Sequence, residues 1–356
     1  MAESQGYEDS VRGKRETEFA QFEDTKKGML GKFQHMLHVN PALVPLIILV
    51  VAIALFGMLL GQRFFSAGTL TLILQQVQIV GVLAAAQTLV ILTAGIDLSV
   101  GAIAVLCTII MGQFTFRYGL PAELSLLIGI AFGTAIGAAS GFLVSRVKIP
   151  PFIVTLGMWQ VVLASAYLFS RNETIRSSQL RDDAPTLLFL GGRVEIAGAT
   201  FTYGVILMIL LIVGLAYALR STAWGRHVYA VGDDPEAAQL AGVNVHRTLM
   251  SVYILAGFIC AIAAWVMIGR FSAISPSAST GVIGNIQSIT AVVIGGISLF
   301  GGRGSIFGAL FGALIVGVFE MGLRMAGTDP QWTFMLIGML IIVAVAIDQW
   351  IRKVSA

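Results

Sequence analysis

The side chains that could do chemistry are few and scattered. No G-x-x-x-x-G-K-[ST] phosphate loop occurs, and GGRGS at 301–305 does not substitute for one. His35, His38, His227 and His246 lie outside every long apolar run, and no residue cluster has metal-ligand spacing. No groups are spaced to converge as a catalytic site requires. Three acids, Asp97, Glu320 and Asp348, fall at or near the ends of apolar runs, where an interfacial position explains them without a proton relay. Neutral polar groups inside such runs include Gln75, Gln76, Gln78, Gln87, Gln160, Asn285, Gln287 and Thr290. In lipid, such amides and hydroxyls either tie helix to helix or bind a polar solute. Gln76 and Gln87 are 11 positions apart, about three helical turns, so they share a face. Trp159 beside Gln160 offers a ring next to an amide.

Two segments have a more definite local physics. In WGRHVYAVGDDPEAAQLAGVNVHR (224–247), Asp234 can cap a helix that opens on Pro235, with Glu236 favourable in its first turn. Ala237, Ala238, Leu240 and Ala241 continue it, and Gly242 can end it in a left-handed cap. A helix of about two turns is marginal alone, so it needs a surface, on its own chain or on a partner. In TAGIDLSVGA (93–102), Gly95 and Gly101 permit tight turns or close contacts. Asp97, assisted by Ser99, can cap a helix starting near Leu98. That segment reads either as a capped span junction or as a gate. GIDLSVG (95–101) and GISLFGG (296–302) share the pattern G-I-x-L-x-x-G, which suggests an internal repeat.

The elements that must position these residues are apolar helices. Of 356 residues, 57% are hydrophobic and 12% charged, against about 25% charged in soluble domains. The first 42 residues hold 13 of the 41 Lys, Arg, Asp and Glu. This excludes an ordinary soluble enzyme and leaves an all-α polytopic membrane protein. Ten apolar runs are long enough to be spans: 43–61, 69–93, 98–116, 122–144, 152–170, 201–219, 249–269, 285–300, 304–323 and 332–350. Glycine and polar residues interrupt the third and eighth, so one of them is a candidate broken or re-entrant helix.

With the N-terminus in the cytoplasm, the inner segments carry 14 Lys/Arg and the outer segments 8, which places both termini inside. Residues 1–42 read as a mostly disordered cytoplasmic tail, with Phe33 to Leu37 a candidate for lying on the membrane surface. Residues 171–200 become a periplasmic loop with four basic and four acidic residues, 220–248 a cytoplasmic loop, and 351–356 the cytoplasmic C-terminus. Loops this long usually serve a function. Cys107 and Cys260 lie in apolar runs and read as small core residues. The N-terminus lacks the pattern of a cleaved signal peptide.

EAAQLAG has the E-A-A-x-x-x-G spacing of the inner-loop signature of binding-protein-dependent ABC importer permeases. GRHVYAVGDDPEAAQLAGVNV, TAGIDLSVGA (93–102), VKIPPFIVTLGM (147–158) and VIGGISLFGGRGSIFGALFGALI (293–315) resemble blocks of the sugar permeases of the ribose, xylose, arabinose and fructose transporters, and the fructose type most. The resemblance covers about residues 45–350. It implies a type II importer permease in the bacterial inner membrane, forming a homodimer on an ABC ATPase and fed by a periplasmic sugar-binding protein.

In that family the short inner helix docks in a cleft of the ATPase. Here that is Glu236, Ala237, Ala238 and Gly242, with Asp234 and Pro235 opening it and Gly225, Arg226, Tyr229 and Gly232 leading in. The family form usually has Asn where Asp233 or Asp234 stands. No cofactor is implied on this chain, since ATP and Mg belong to the partner. Lipid and a monosaccharide are the other expected contacts, and no nucleic acid is. For the sugar path the candidates are Gln76, Gln87, Trp159, Gln160, Asn285 and Gln287. The alternatives are a secondary sugar carrier, which has no need of the EAA segment, and a membrane enzyme.

Overall fold

The apolar runs fold as helices because a chain in hydrocarbon must satisfy its backbone internally. A computed structural model describes residues 42–196 and 198–355. The expected tail, with Phe33 to Leu37, lies outside the described residues but for its last position. Among the described residues, seven helices are long and apolar enough to cross a membrane. They are α1 (Leu43–Leu60, extended by a 3-10 turn to Arg63), α2 (Ala67–Leu92), α4 (Ala122–Ser145), α5 (Pro151–Ser170), α8 (Tyr203–Ser221), α11 (Val245–Phe271) and α13 (Ile306–Met325). Three more are apolar but have shorter apolar stretches: α3 (Val100–Phe116), α12 (Ala278–Ile294) and α14 (Pro330–Ser355). The protein is thus a mostly helical polytopic membrane protein.

The third run is one continuous helix, Val100–Phe116, whereas the eighth is helical only in its first part. The eighth is displaced from its expected 285–300 and ends at Ile294. Gly296, Gly301, Gly302 and Gly304 all take positive φ, so 295–305 is a loop despite its apolar composition.

Helix α3 is the most enclosed, with every residue from Val100 to Gln113 buried. Helices α4, α5, α11 and α12 pack around it. Glycines set how closely they approach. Gly133, Gly137 and Gly141 repeat every four residues along α4 and meet α11 at Tyr253 and Gly257, where a Cβ at Gly137 would strike the Tyr253 carbonyl oxygen. Cys107 and Cys260 are free and buried in this core.

At the end where α3 runs into α4, the 171–202 connection is folded rather than loose. It holds α6 (Ser177–Asp183), α7 (Pro185–Leu188) and a hairpin of β1 (Arg193–Ile196) and β2 (Ala199–Thr202), paired antiparallel from Arg193–Thr202 to Ile196–Ala199. The hairpin corrects the all-α expectation. Val194, Ile196, Thr200, Phe201 and Thr202 favour strand, and Gly198 takes φ +78° in the two-residue turn. Leu180, Leu187 and Leu190 are buried, and Trp265 Nε1 donates to the Thr186 carbonyl at 3.2 Å. Ile175 and Ile274 bridge this connection to the segment between α11 and α12.

Candidate coupling site and polar path

The 220–248 segment is almost wholly helical, which the sequence reading did not anticipate beyond its short helix. α8 ends at Ser221, and α9 (Ala223–Asp233) begins at once. Thr222 Oγ1 accepts from Gly225 N at 3.2 Å, and the corner is so tight that a Cβ at Gly225 would strike the Leu219 carbonyl. α9 buries Gly225, Val228, Val231 and Gly232 and leaves Arg226, His227 and Asp233 exposed. That stripe, at i, i+3 and i+6 to i+7, was the signal that could have found it.

Helix α10 (Pro235–Leu240) follows. Asp234 Oδ1 accepts from Glu236 N at 2.9 Å and Ala237 N at 3.0 Å. Gly242, at φ +86°, donates its N–H to Gln239 O, and Val243 N reaches back to Ala238 O, both at 3.0 Å. This is a Schellman ending, which closes the helix after six residues rather than extending it to 242. Ala238 is 5% exposed and packs on its own chain, while Glu236, Ala237 and Gln239 are exposed and Leu240 is 91% exposed. Of the two alanines expected at the ATPase contact, Ala237 is open to solvent and Ala238 is covered by its own chain. The missed residue is Leu240, a large apolar side chain held out in the open.

This helix pair rests on the place where α2 runs into α3. Gly232 lies against the Leu92 carbonyl and Gly302 N, and Gly302 N donates to Leu92 O at 3.0 Å. Gly301 lies against Gly232 O and Ala94 N, and Gly302 against Asp233. Tyr229 donates its hydroxyl to Gly304 O at 2.9 Å, and its burial raises its pKa, so it stays a donor at neutral pH. The 296–302 segment therefore meets Leu92 and Ala94, just ahead of the 95–101 segment, beneath α9, and coupling and gate candidates share one end of the molecule.

Within the gate segment, α3 begins at Val100 rather than near Leu98. Asp97 does not cap its first turn. Its Oδ1 accepts from Ser99 N at 2.7 Å and Ser99 Oγ at 2.5 Å, a local turn that turns the chain into the helix. The left-handed residue is Ala94 (φ +59°), not Gly95, which instead makes room for Val90 and Tyr253. Gly101 lies against the Gly281 carbonyl and donates its N–H to Asn285 Oδ1 at 2.6 Å, and Asn285 Nδ2 donates to Leu98 O. Asn285, read as a path residue, belongs to this junction.

The other path candidates do not converge. Gln76 and Gln87 share a face of the continuous α2, one half-buried and one fully buried. Neither amide atom of Gln87 has a hydrogen bond, nor does Trp159 Nε1. Gln160 is exposed, and Gln287 Nε2 donates to Glu320 Oε2 at 3.2 Å. Among the described residues no group of His, Cys, Asp and Glu is arranged to hold a metal ion.

These features sit in a mostly helical polytopic membrane protein that displays the short helix α10 at one end. The family described as branched-chain amino acid transport system / permease component matches residues 69–345, and the chain belongs to it. It is a transport subunit rather than an enzyme. It is 64% identical over 340 residues to the fructose import permease protein of Rhizobium meliloti, covering 96% of this chain and 94% of that one. It is 33% identical to the ribose import permease protein of Escherichia coli K12 (85% of this chain, 92% of the relative). It is 30% identical to that organism's xylose transport system permease protein (91% and 96%). No solved structure matches.

Proposed function

We propose that this chain is the permease subunit of an ATP-driven ABC importer that carries a monosaccharide, fructose first among them, across the bacterial inner membrane. The observation that carries this reading is α10: a capped helix too short to stand alone, held on a platform, with Leu240 and Ala237 presented outward. Such a helix fits a cleft on a separate ATPase, which binds ATP and Mg. The seven long helices and three shorter ones make up ten crossings with both termini in the cytoplasm, α9 and α10 on that side and the 171–200 region in the periplasm. A second copy completes the pathway. The exposed Arg181, Asp182, Asp183 and strand β1 supply mixed charge for a sugar-binding protein.

The test is reconstitution of the permease with its ATPase and binding protein in vesicles. Labelled fructose should accumulate only with ATP and binding protein present, and ionophores should leave uptake unchanged. Uptake without ATP that collapses with the ion gradient would identify a secondary carrier instead. A reporter after Arg247 should read as cytoplasmic and one near Asp183 as periplasmic; the same side for both would refute the topology.

A further inference from the structure

Beside the middle of α3, a cavity of about 260 Å³ opens between α3, the end of α11 and the start of α12. Thr108, Ser275, Ser277 and Thr280 line it with hydroxyls, beside the ring of Phe271 and the side chain of Val105. Among the described residues no charged side chain lines it. Thr108 gives its proton to Val105 O at 2.7 Å, and Thr280 gives its own to Ser277 Oγ at 2.9 Å, so each oxygen retains capacity to accept. Ser275 stands exposed at the rim. The floor is the α3–α12 crossing just described. Gly281 follows Thr280 directly, and its carbonyl abuts Gly101, one turn of α3 from Val105.

We propose that this cavity is the outward-facing sugar site of the permease, closed below by the Gly101–Gly281–Asn285 contact. The assignment rests on the monosaccharide-importer reading and deepens it. The volume lies below the roughly 300–1,000 Å³ of sites for drug-sized ligands, which suits one sugar ring. The Thr108 and Thr280 oxygens can accept from the hydroxyls of a polyol, and an aromatic face covers the apolar side of a pyranose or furanose. The absence of charge and of amides makes the site weak, as a path needs when the solute must leave it again. Opening the Gly101–Gly281 seam would release the sugar toward Asp97 and the α10 platform.

The test uses the complete reconstituted importer. Thr108→Phe fills the cavity and should lower fructose uptake at least about tenfold, with ATPase recovery unchanged. Thr108→Val keeps the volume but removes the hydroxyl and should lower uptake about threefold to tenfold, and Thr108→Ser should restore it. In a Thr280→Cys chain, alkylation by an impermeant maleimide from the binding-protein side should be slowed by high fructose but not by a disaccharide. Normal uptake by Thr108→Phe, or labelling of Thr280→Cys indifferent to fructose, overturns the site. Loss in Thr108→Phe with normal uptake in Thr108→Val overturns recognition by hydroxyls. If the unaltered importer carries no monosaccharide, the functional reading fails, a result these variants cannot mimic.

Discussion

Gly242 offers the sharpest test of the α10 platform. A Cβ built there meets nothing within 4 Å, so in this chain a side chain costs no packing. The cost is in the backbone, because φ is +86°. An L-residue in the left-handed region loses about 1–2 kcal/mol, more when β-branched, while Asn tolerates it. If α10 cannot keep its Schellman ending, the two bonds from Gly242 N and Val243 N go with it, at about 1 kcal/mol each. Either the strain is borne or the two bonds are lost, so the cost is about 2 kcal/mol and would depopulate the docked helix roughly thirtyfold.

Gly242→Val should therefore lose most ATPase recovery and uptake, Gly242→Ala should lose about fivefold to tenfold, and Gly242→Asn should stay within about threefold. Asn and Val are similar in size, so their comparison separates backbone strain from a clash with the partner. Co-purification of the ATPase and ATP-dependent uptake are the readouts, with Glu195→Ala, on strand β1 at the other end of the molecule, as a control that leaves ATPase binding intact. Equal loss for Asn and Val would show that the left-handed backbone is not the cause. Normal recovery and uptake in Gly242→Val would remove α10 as the coupling element.

Tyr229→Phe removes the bond to Gly304 O and should leave assembly intact while uptake per ATP falls about fivefold, for a bond worth about 1 kcal/mol; an unchanged ratio refutes the platform as a link. Ala238→Trp should dislodge α10 from its own chain and abolish uptake and ATPase recovery while the protein still inserts; normal recovery would contradict the burial of Ala238. Gln87→Leu removes two buried amide atoms with no partner and should raise thermal stability in detergent by about 1–3 kcal/mol yet lower uptake, because the amide finds its partner in another state of the cycle; lower stability would show the amide is already satisfied. Gly137→Val should collapse the folded yield, whereas Gly157→Ala, with open space around it, should not; equal yields would show that the α4–α11 approach does not limit folding.

Helix positions were legible because a span writes itself as a long apolar run, and nine of the ten runs lie within about five residues of an observed helix at each end. The exception shows what such runs hide. Residues 295–300 are apolar, yet the chain leaves the helix there because Gly296 is left-handed and α12 must stop where Gly295 meets Gly308 of α13. The capping of α10 by Asp234 was readable because a cap is a contact within three residues. Which of its alanines faces the protein was not readable, because six residues are too few to show a period.

The polar path was the least legible part, for a related reason. An amide in a span announces that it needs a partner but not where the partner is. Asn285 finds its partners at Leu98 and Gly101, 187 and 184 positions away, through the rotation of two helices that only packing decides. The hydroxyls of Thr108 and Thr280 carry still less signal, since a threonine in a helix can satisfy itself on its own backbone, as Thr108 does. A cavity exists only as the space several elements leave between them. The residues around this one matter through the placement of α3 against α12, and that placement is set by Gly101 having no side chain to hold its backbone off the Gly281 carbonyl. The glycines that let these helices meet are thus the ones whose contact must break if the cavity is to open inward.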